Sequence, residues 1–130
     1  MNIKGKSVKI NAEQQKVFEF LSNFDNFKDL MPEQVKDWES DGESCSFNIS
    51  GIGRIGMLFS KKEEPSLVEI GPKGKAPLNF SLSIKLKKEE DGTVAEGMVN
   101  ADLNPMLAML AKRPLENLIN EITSRLQKKF

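Results

Sequence analysis

Between Phe80 and Lys87 the chain alternates without a fault: Phe80, Leu82, Ile84 and Leu86 are apolar, and Ser81, Ser83, Lys85 and Lys87 are polar. A period of two marks a strand with one face buried, because successive side chains leave the backbone on opposite sides. The same period runs through Cys45, Phe47 and Ile49 and through Ile55, Met57 and Phe59. Val35 to Ser40, Leu67 to Ile70 and Thr93 to Leu103 are further strand candidates, and residues 3–10 read as an opening strand. The breaks carry turn chemistry: Asp41-Gly42-Glu43, Gly51 to Gly53, Pro65, Gly71 to Pro77, and Asp91-Gly92, the last a strong hairpin signal.

Three stretches switch to a helical pattern. Val17, Phe18, Leu21 and Phe24 recur at three- and four-residue steps and predict a helix from about Ala12 to about Asn23. Asn11 stands as its N-cap, with Gln14 at the spacing of a capping box. Asp25 is placed to cap a second short helix carrying Phe27, Leu30 and Met31. Pro32 ends it, because the residue before a proline is pushed out of the α region. The final helix opens on Asn104-Pro105, asparagine as N-cap and proline where no donor is lost. Leu115, Leu118, Ile119, Ile122 and Leu126 form its apolar stripe. Pro114 lies inside that helix and predicts a kink or break around Leu110 to Arg113, since it removes a donor and collides with the Leu110 carbonyl.

The order predicts an α+β fold: one strand, two short helices, about six antiparallel strands and one long C-terminal helix. A sheet with a Ser/Lys face outward must cover its other face. The final helix is the only predicted element long enough to do so. Residues 1–130 form one domain, of ordinary size for a single core.

Composition narrows the chemistry. Lysine plus arginine and aspartate plus glutamate both number 19, so there is no basic excess to drive nucleic-acid binding or docking on an anionic membrane. Histidine and tyrosine are both absent, which removes the commonest general base and the commonest metal ligand. No metal site and no cofactor are expected. Cys45 is the only cysteine and alternates in phase with Phe47 and Ile49, so it reads as a small buried hydrophobe. No signal-like apolar segment and no membrane-length run is visible, and the expected location is a reducing cytoplasm.

Three stretches together resemble the START/birch-pollen-allergen-like superfamily, also called the polyketide-cyclase/dehydrase and lipid-transport (SRPBCC, helix-grip) superfamily. They are Ile10-Asn-Ala-Glu-Gln-Gln-Lys-Val-Phe-Glu-Phe-Leu-Ser with Phe27-Lys-Asp-Leu-Met-Pro, the block of alternating strands, and the long last helix. The resemblance spans essentially the whole chain and is to bacterial members of unassigned role. It implies a helix-grip fold, a curved antiparallel sheet of about 6–7 strands wrapped on the C-terminal helix. It also implies a cavity between sheet and helix that binds lipids, sterols, hormones or polyketides. On the pattern above, Phe47, Ile49, Met57, Phe59, Phe80 and Leu82 are the candidate ligand-binding residues of the sheet. Met106, Met109 and Leu110 are those of the helix, and Met98 lies near them in sequence.

Other motifs compete with bland readings. Gly51-Ile-Gly-Arg-Ile-Gly56 matches a dinucleotide-binding fingerprint, but it leads into a strand, so a tight hairpin is the better reading. Gly71-Pro-Lys-Gly-Lys75 reads as an exposed loop before it reads as an anion cradle. Glu63-Glu64 and Glu89-Glu90-Asp91 read as solvated edges. Glu96, Asn100 and Asp102 share one face of the last strand, taken as outward because unpaired buried carboxylates are costly.

The sequence therefore points to non-catalytic binding, transport or sensing of a small lipid-like or polyketide-like molecule. A protein-interaction domain with a vestigial cavity is one alternative, with a homodimer left open. A cyclase- or hydrolase-type enzyme using Glu96, Asn100 or Asp102 is the other.

Overall fold

A computed structural model describes residues 1–74 and 79–130. Strands β1 (Asn2–Lys4), β2 (Val8–Ile10), β3 (Val35–Ser40), β4 (Ser44–Ile49), β5 (Gly53–Glu63), β6 (Leu67–Pro72), β7 (Asn79–Glu89) and β8 (Gly92–Asp102) form one antiparallel sheet in the order β1-β8-β7-β6-β5-β4-β3. Helix α1 (Gln14–Leu21) and two single 3₁₀ turns (Phe24–Asn26 and Lys28–Leu30) follow β2, and helix α2 (Pro105–Lys129) ends the chain. This is the helix-grip fold.

The opening strand divides. β1 and β2 both pair with β8, at Asn2↔Asn100 to Lys4↔Met98 and at Val8↔Ala95 to Ile10↔Thr93. Between them Gly5 N–H donates to the Gly97 carbonyl, and Lys6 N–H donates to Asn120 Oδ1 of α2 at 3.0 Å. The helix thus satisfies the backbone that the interrupted ladder leaves open. Gly97 lies under the same contact. A Cβ there would come within 2.5 Å of Ile119 Cγ1, so only glycine lets α2 sit this close.

The core lies between the inner sheet face and α2, α1 and the 3₁₀ turns. Alternation holds across the register: Leu82 opposite Val99 and Ile70, Leu86 opposite Ala95, Phe47 opposite Ile55. All are buried. The Glu96, Asn100 and Asp102 row points outward, and Glu96 meets Lys4 at 3.5 Å.

Three local expectations are corrected. No capping box forms at Asn11: the N-cap is Glu13, and Gln14 spends its amide on the Leu86 carbonyl at 2.8 Å. Thr93 Oγ1 takes the Ala12 carbonyl at 2.8 Å, so tertiary contacts hold the segment before α1, which runs only Gln14–Leu21. The second short helix is a pair of 3₁₀ turns, with Asn23 rather than Asp25 accepting the cap bond from Asp25 N–H. The break expected near Pro114 is absent, and α2 is continuous. The carbonyl that Pro114 leaves without a donor belongs to Leu110, an exposed position where water can bond it.

Candidate functional site

Antiparallel succession sorts the loops into two ends. One end holds the β3–β4, β5–β6 and β7–β8 turns, α1, the 3₁₀ turns and the end of α2. It is closed by aromatic packing: Phe24 stacks on Phe59 at 4.2 Å and meets Phe27 at 5.2 Å. Phe24, Phe27, Ile70 and Ile84 have no exposed surface. Gln127 donates to the Lys9 carbonyl, and Phe20 meets Phe130 edge-on, so the C-terminal turns of α2 are tied down there.

The opposite end holds the β4–β5 turn, the β6–β7 connection, the β8–α2 junction and the first turns of α2. Gly51 and Gly53, at φ 86° and 114°, make the β4–β5 turn a tight hairpin, which rules out the strand-to-helix turn of a dinucleotide site. The β6–β7 connection includes residues 75–78, so the Gly71–Lys75 loop lies partly outside the described residues. Asn104 caps α2 by accepting from Leu107 N–H at 2.9 Å. Burial in α2 then begins only at Ala111. The inner-face residues near this end, Phe80, Ala101 and Ile49, keep a trace of exposure, and Ile52 and Leu103 are half-buried around them.

The structure brings six of the nine sequence candidates onto one surface. Phe47, Ile49, Met57, Phe80 and Leu82 are buried on the inner face, and Phe59 is half-buried beside Phe24. The other three stand apart. Met106, Met109 and Leu110 are 74%, 83% and 68% exposed. At 100° per residue they lie on the side of α2 opposite Ala111 and Leu115. Met98 is on the outer sheet face, next to Lys4 across the strands.

Two inner residues escaped the sequence reading. Stepping the buried stripe back by sevens from Ile122 gives Leu115 and then the half-buried Ala108, so the residue of the first turns of α2 aimed at the sheet is Ala108, with Leu107 beside it at the edge of the stripe and 41% exposed. Trp38 is the second. Asp37 takes φ 56° at a bulge between Lys36 and Glu39, held by Asn48 Nδ2 at 2.9 Å. That extra residue turns Trp38 inward, where its ring stacks on Phe47 at 5.5 Å.

The chemistry on this surface is apolar. Cys45 is buried, and desolvation pushes its thiol up to about 12, the range of an inert thiol. Among the described residues no group of three or more Cys, Asp or Glu side chains could hold a metal ion. A cleft of about 690 Å³ between the start of α1 and the β7–β8 hairpin is lined largely by polar residues, among them Glu13, Gln15, Lys88 and Asp91. No helix among the described residues is long and apolar enough to cross a membrane.

Residues 6–130 match the family model of CoxG, a subunit of carbon monoxide dehydrogenase. No curated protein matches the chain. Among solved structures, norcoclaurine synthase from Thalictrum flavum is similar with a TM-score of 0.77 at 10% identity, covering 99% of this chain and 85% of that one. A conserved protein from Geobacillus kaustophilus has a TM-score of 0.72 at 16% identity, covering 99% and 94%. The Aha1 dimer from Colwellia psychrerythraea has a TM-score of 0.61 at 18% identity, covering 95% and 98%. At these identities the structures speak to fold alone.

Proposed function

The chain belongs to the CoxG family of carbon monoxide dehydrogenase, and from that premise we propose that it binds a small lipid-like or polyketide-like molecule without catalysing its conversion. The ligand sits at the open end of the inner face, between Ile49, Phe80 and Ala101 of the sheet and Leu107, Ala111 and Leu115 of α2. One observation carries this reading: the apolar sheet face is sealed by aromatics at one end, but at the other it meets a helix start in which no residue before Ala111 is buried. Apolar walls with few polar groups suit a ligand recognised by shape and burial. The residues there are nearly closed, so admission requires the first turns of α2 to move. Pro114 supports that motion, because the bond it withholds from Leu110 separates a packed base from an unpacked tip.

The absence of histidine and the outward aim of Glu96, Asn100 and Asp102 favour a carrier or sensor over an enzyme using those groups. A second copy of the chain is compatible with this reading, because the ligand uses the inner face of α2 and leaves the outer face free. Methyl-resolved NMR tests the site against a panel of fatty acids and isoprenoids. Binding at the proposed place moves the Ile49, Leu107 and Leu115 methyl signals and leaves Met106 and Met109 largely unmoved. Shifts confined to the outer face would contradict it.

A further inference from the structure

Among the described residues, Asp37 is the one residue other than glycine with a left-handed backbone, at φ 56°. Such a conformation persists only where its surroundings enforce it, and it concentrates at ligand sites. The enforcement here comes from the outer sheet face. Asn48 Nδ2 donates to Asp37 Oδ2 at 2.9 Å, and Arg54 Nη2 donates to Glu39 Oε2 at 3.0 Å and to Ser46 Oγ at 2.8 Å. The effect is on the inner face. Val35 lies opposite Ile49 and Ser40 opposite Cys45, so both point inward although an odd number of residues separates their positions from regular alternation. Strict alternation from Val35 would send Trp38 outward. The bulge absorbs one residue, and Trp38 turns in against Phe47.

The indole is also held from the direction of the closed end. Its Nε1–H donates to Ser40 Oγ at 3.1 Å, and Ser40 Oγ donates in turn to Asp25 Oδ1. Ser40 is a hydroxyl on an apolar face, and it satisfies the one donor of the ring. The ring stacks on Phe47 with 16° between the planes, yet the side chain is only half-buried. A ring fixed by strand, stack and hydrogen bond, and left partly open, has the form of a prepared contact surface. We propose that Trp38 is a wall of the apolar-ligand site, with Ser40 and Asp25 as its positioning residues. This rests on the ligand reading above and extends it. Phe47 is two residues in from Ile49 on β4, about 7 Å along the strand. A molecule held at Ile49 that extends inward by that length meets the indole, so Trp38 favours elongated ligands over compact ones.

The chain has one tryptophan and no tyrosine, so tryptophan emission reports Trp38 alone. Native mass spectrometry of the full chain first counts adducts with stearate, dibrominated stearate and farnesol. Bromine quenches an indole that it touches. Bound dibrominated stearate should therefore quench Trp38 where stearate does not, and bound farnesol should shield Trp38 from acrylamide. Ser40→Ala releases the indole N–H. It should change the near-ultraviolet circular dichroism of Trp38 and weaken binding roughly threefold to tenfold, the worth of one hydrogen bond. Ser40→Thr keeps the hydroxyl and should restore both. Adducts that neither quench nor shield Trp38 overturn this inference and leave the ligand reading standing. A Ser40→Ala variant that melts lower but binds as the parent does also overturns it, and gives Ser40 a structural role alone. No adduct with any of the three overturns both readings.

Discussion

Replacing Gly97 with alanine should destabilise this protein, which is the reverse of what the change does at an unconstrained strand position. There, alanine restricts the unfolded chain and gains roughly 0.5–1 kcal/mol. Here the new Cβ meets Ile119, at 2.5 Å from Cγ1, and Ile119 has no exposed surface into which to retreat. Overpacking of a closed core costs about 1–3 kcal/mol. The net loss is therefore about 0.5–2 kcal/mol. An unfolding entropy of about 2.1 cal/mol/K per residue over 130 residues makes that about 2–7 °C in melting temperature. Circular dichroism melts of four proteins close the argument: the parent, Gly97→Ala, Ile119→Ala and the double variant. Ile119→Ala alone should cost about 2–5 kcal/mol through its cavity. In the Gly97→Ala background it should cost at least about 1 kcal/mol less, because the clashing atoms are gone. A Gly97→Ala variant as stable as the parent, or an additive cycle, refutes the claim that this glycine sets the distance between sheet and helix.

Pro114→Ala should raise stability by about 1–2 kcal/mol in urea titrations, since the regained bond to Leu110 outweighs the freer unfolded chain; no gain would mean the proline imposes no cost. Asn104→Ala should lose about 0.5–2 kcal/mol and speed amide exchange at Leu107, whose N–H it caps, while exchange at Leu118 stays slow. Burial raises the Cys45 thiol from 9.0 to about 12, so the unfolded chain loses this proton before the folded one. The stabilisation is whole below pH 9 and drains between pH 9 and pH 12, and Cys45→Ala should flatten that part of a melting-temperature profile. An unchanged slope would contradict the assignment.

The strands were legible because alternation is a backbone property and survives any tertiary context. Phe80 to Leu86, the Asp91-Gly92 hairpin and the Asn104-Pro105 helix start all stand where local chemistry puts them. Tertiary competition hid the rest. Gln14 has the spacing of a capping-box partner, but its amide meets the Leu86 carbonyl from another strand. Residues 3–10 read as one strand because nothing local shows that Asn120 will take the Lys6 N–H. Trp38 was invisible to periodicity because one bulge residue, Asp37, shifts the phase. Ala108 was readable: the buried stripe stepped back by sevens from Ile122 through Leu115 reaches it and passes over Met106, Met109 and Leu110. Those three drew attention because methionine is common at adaptable apolar surfaces, but residue type does not say which way a helix side faces.

Native mass spectrometry of the full chain with a fatty-acid and isoprenoid panel tests the central claim most directly, with Leu107→Asp as the paired variant. Leu107 is 41% exposed, so the variant should fold, while its carboxylate blocks an apolar ligand beneath the helix tip. The account predicts a one-to-one adduct with at least one panel member, much reduced in Leu107→Asp. No adduct with any member, or one that Leu107→Asp retains in full, would contradict the claim that the open end of the inner sheet face holds an apolar molecule.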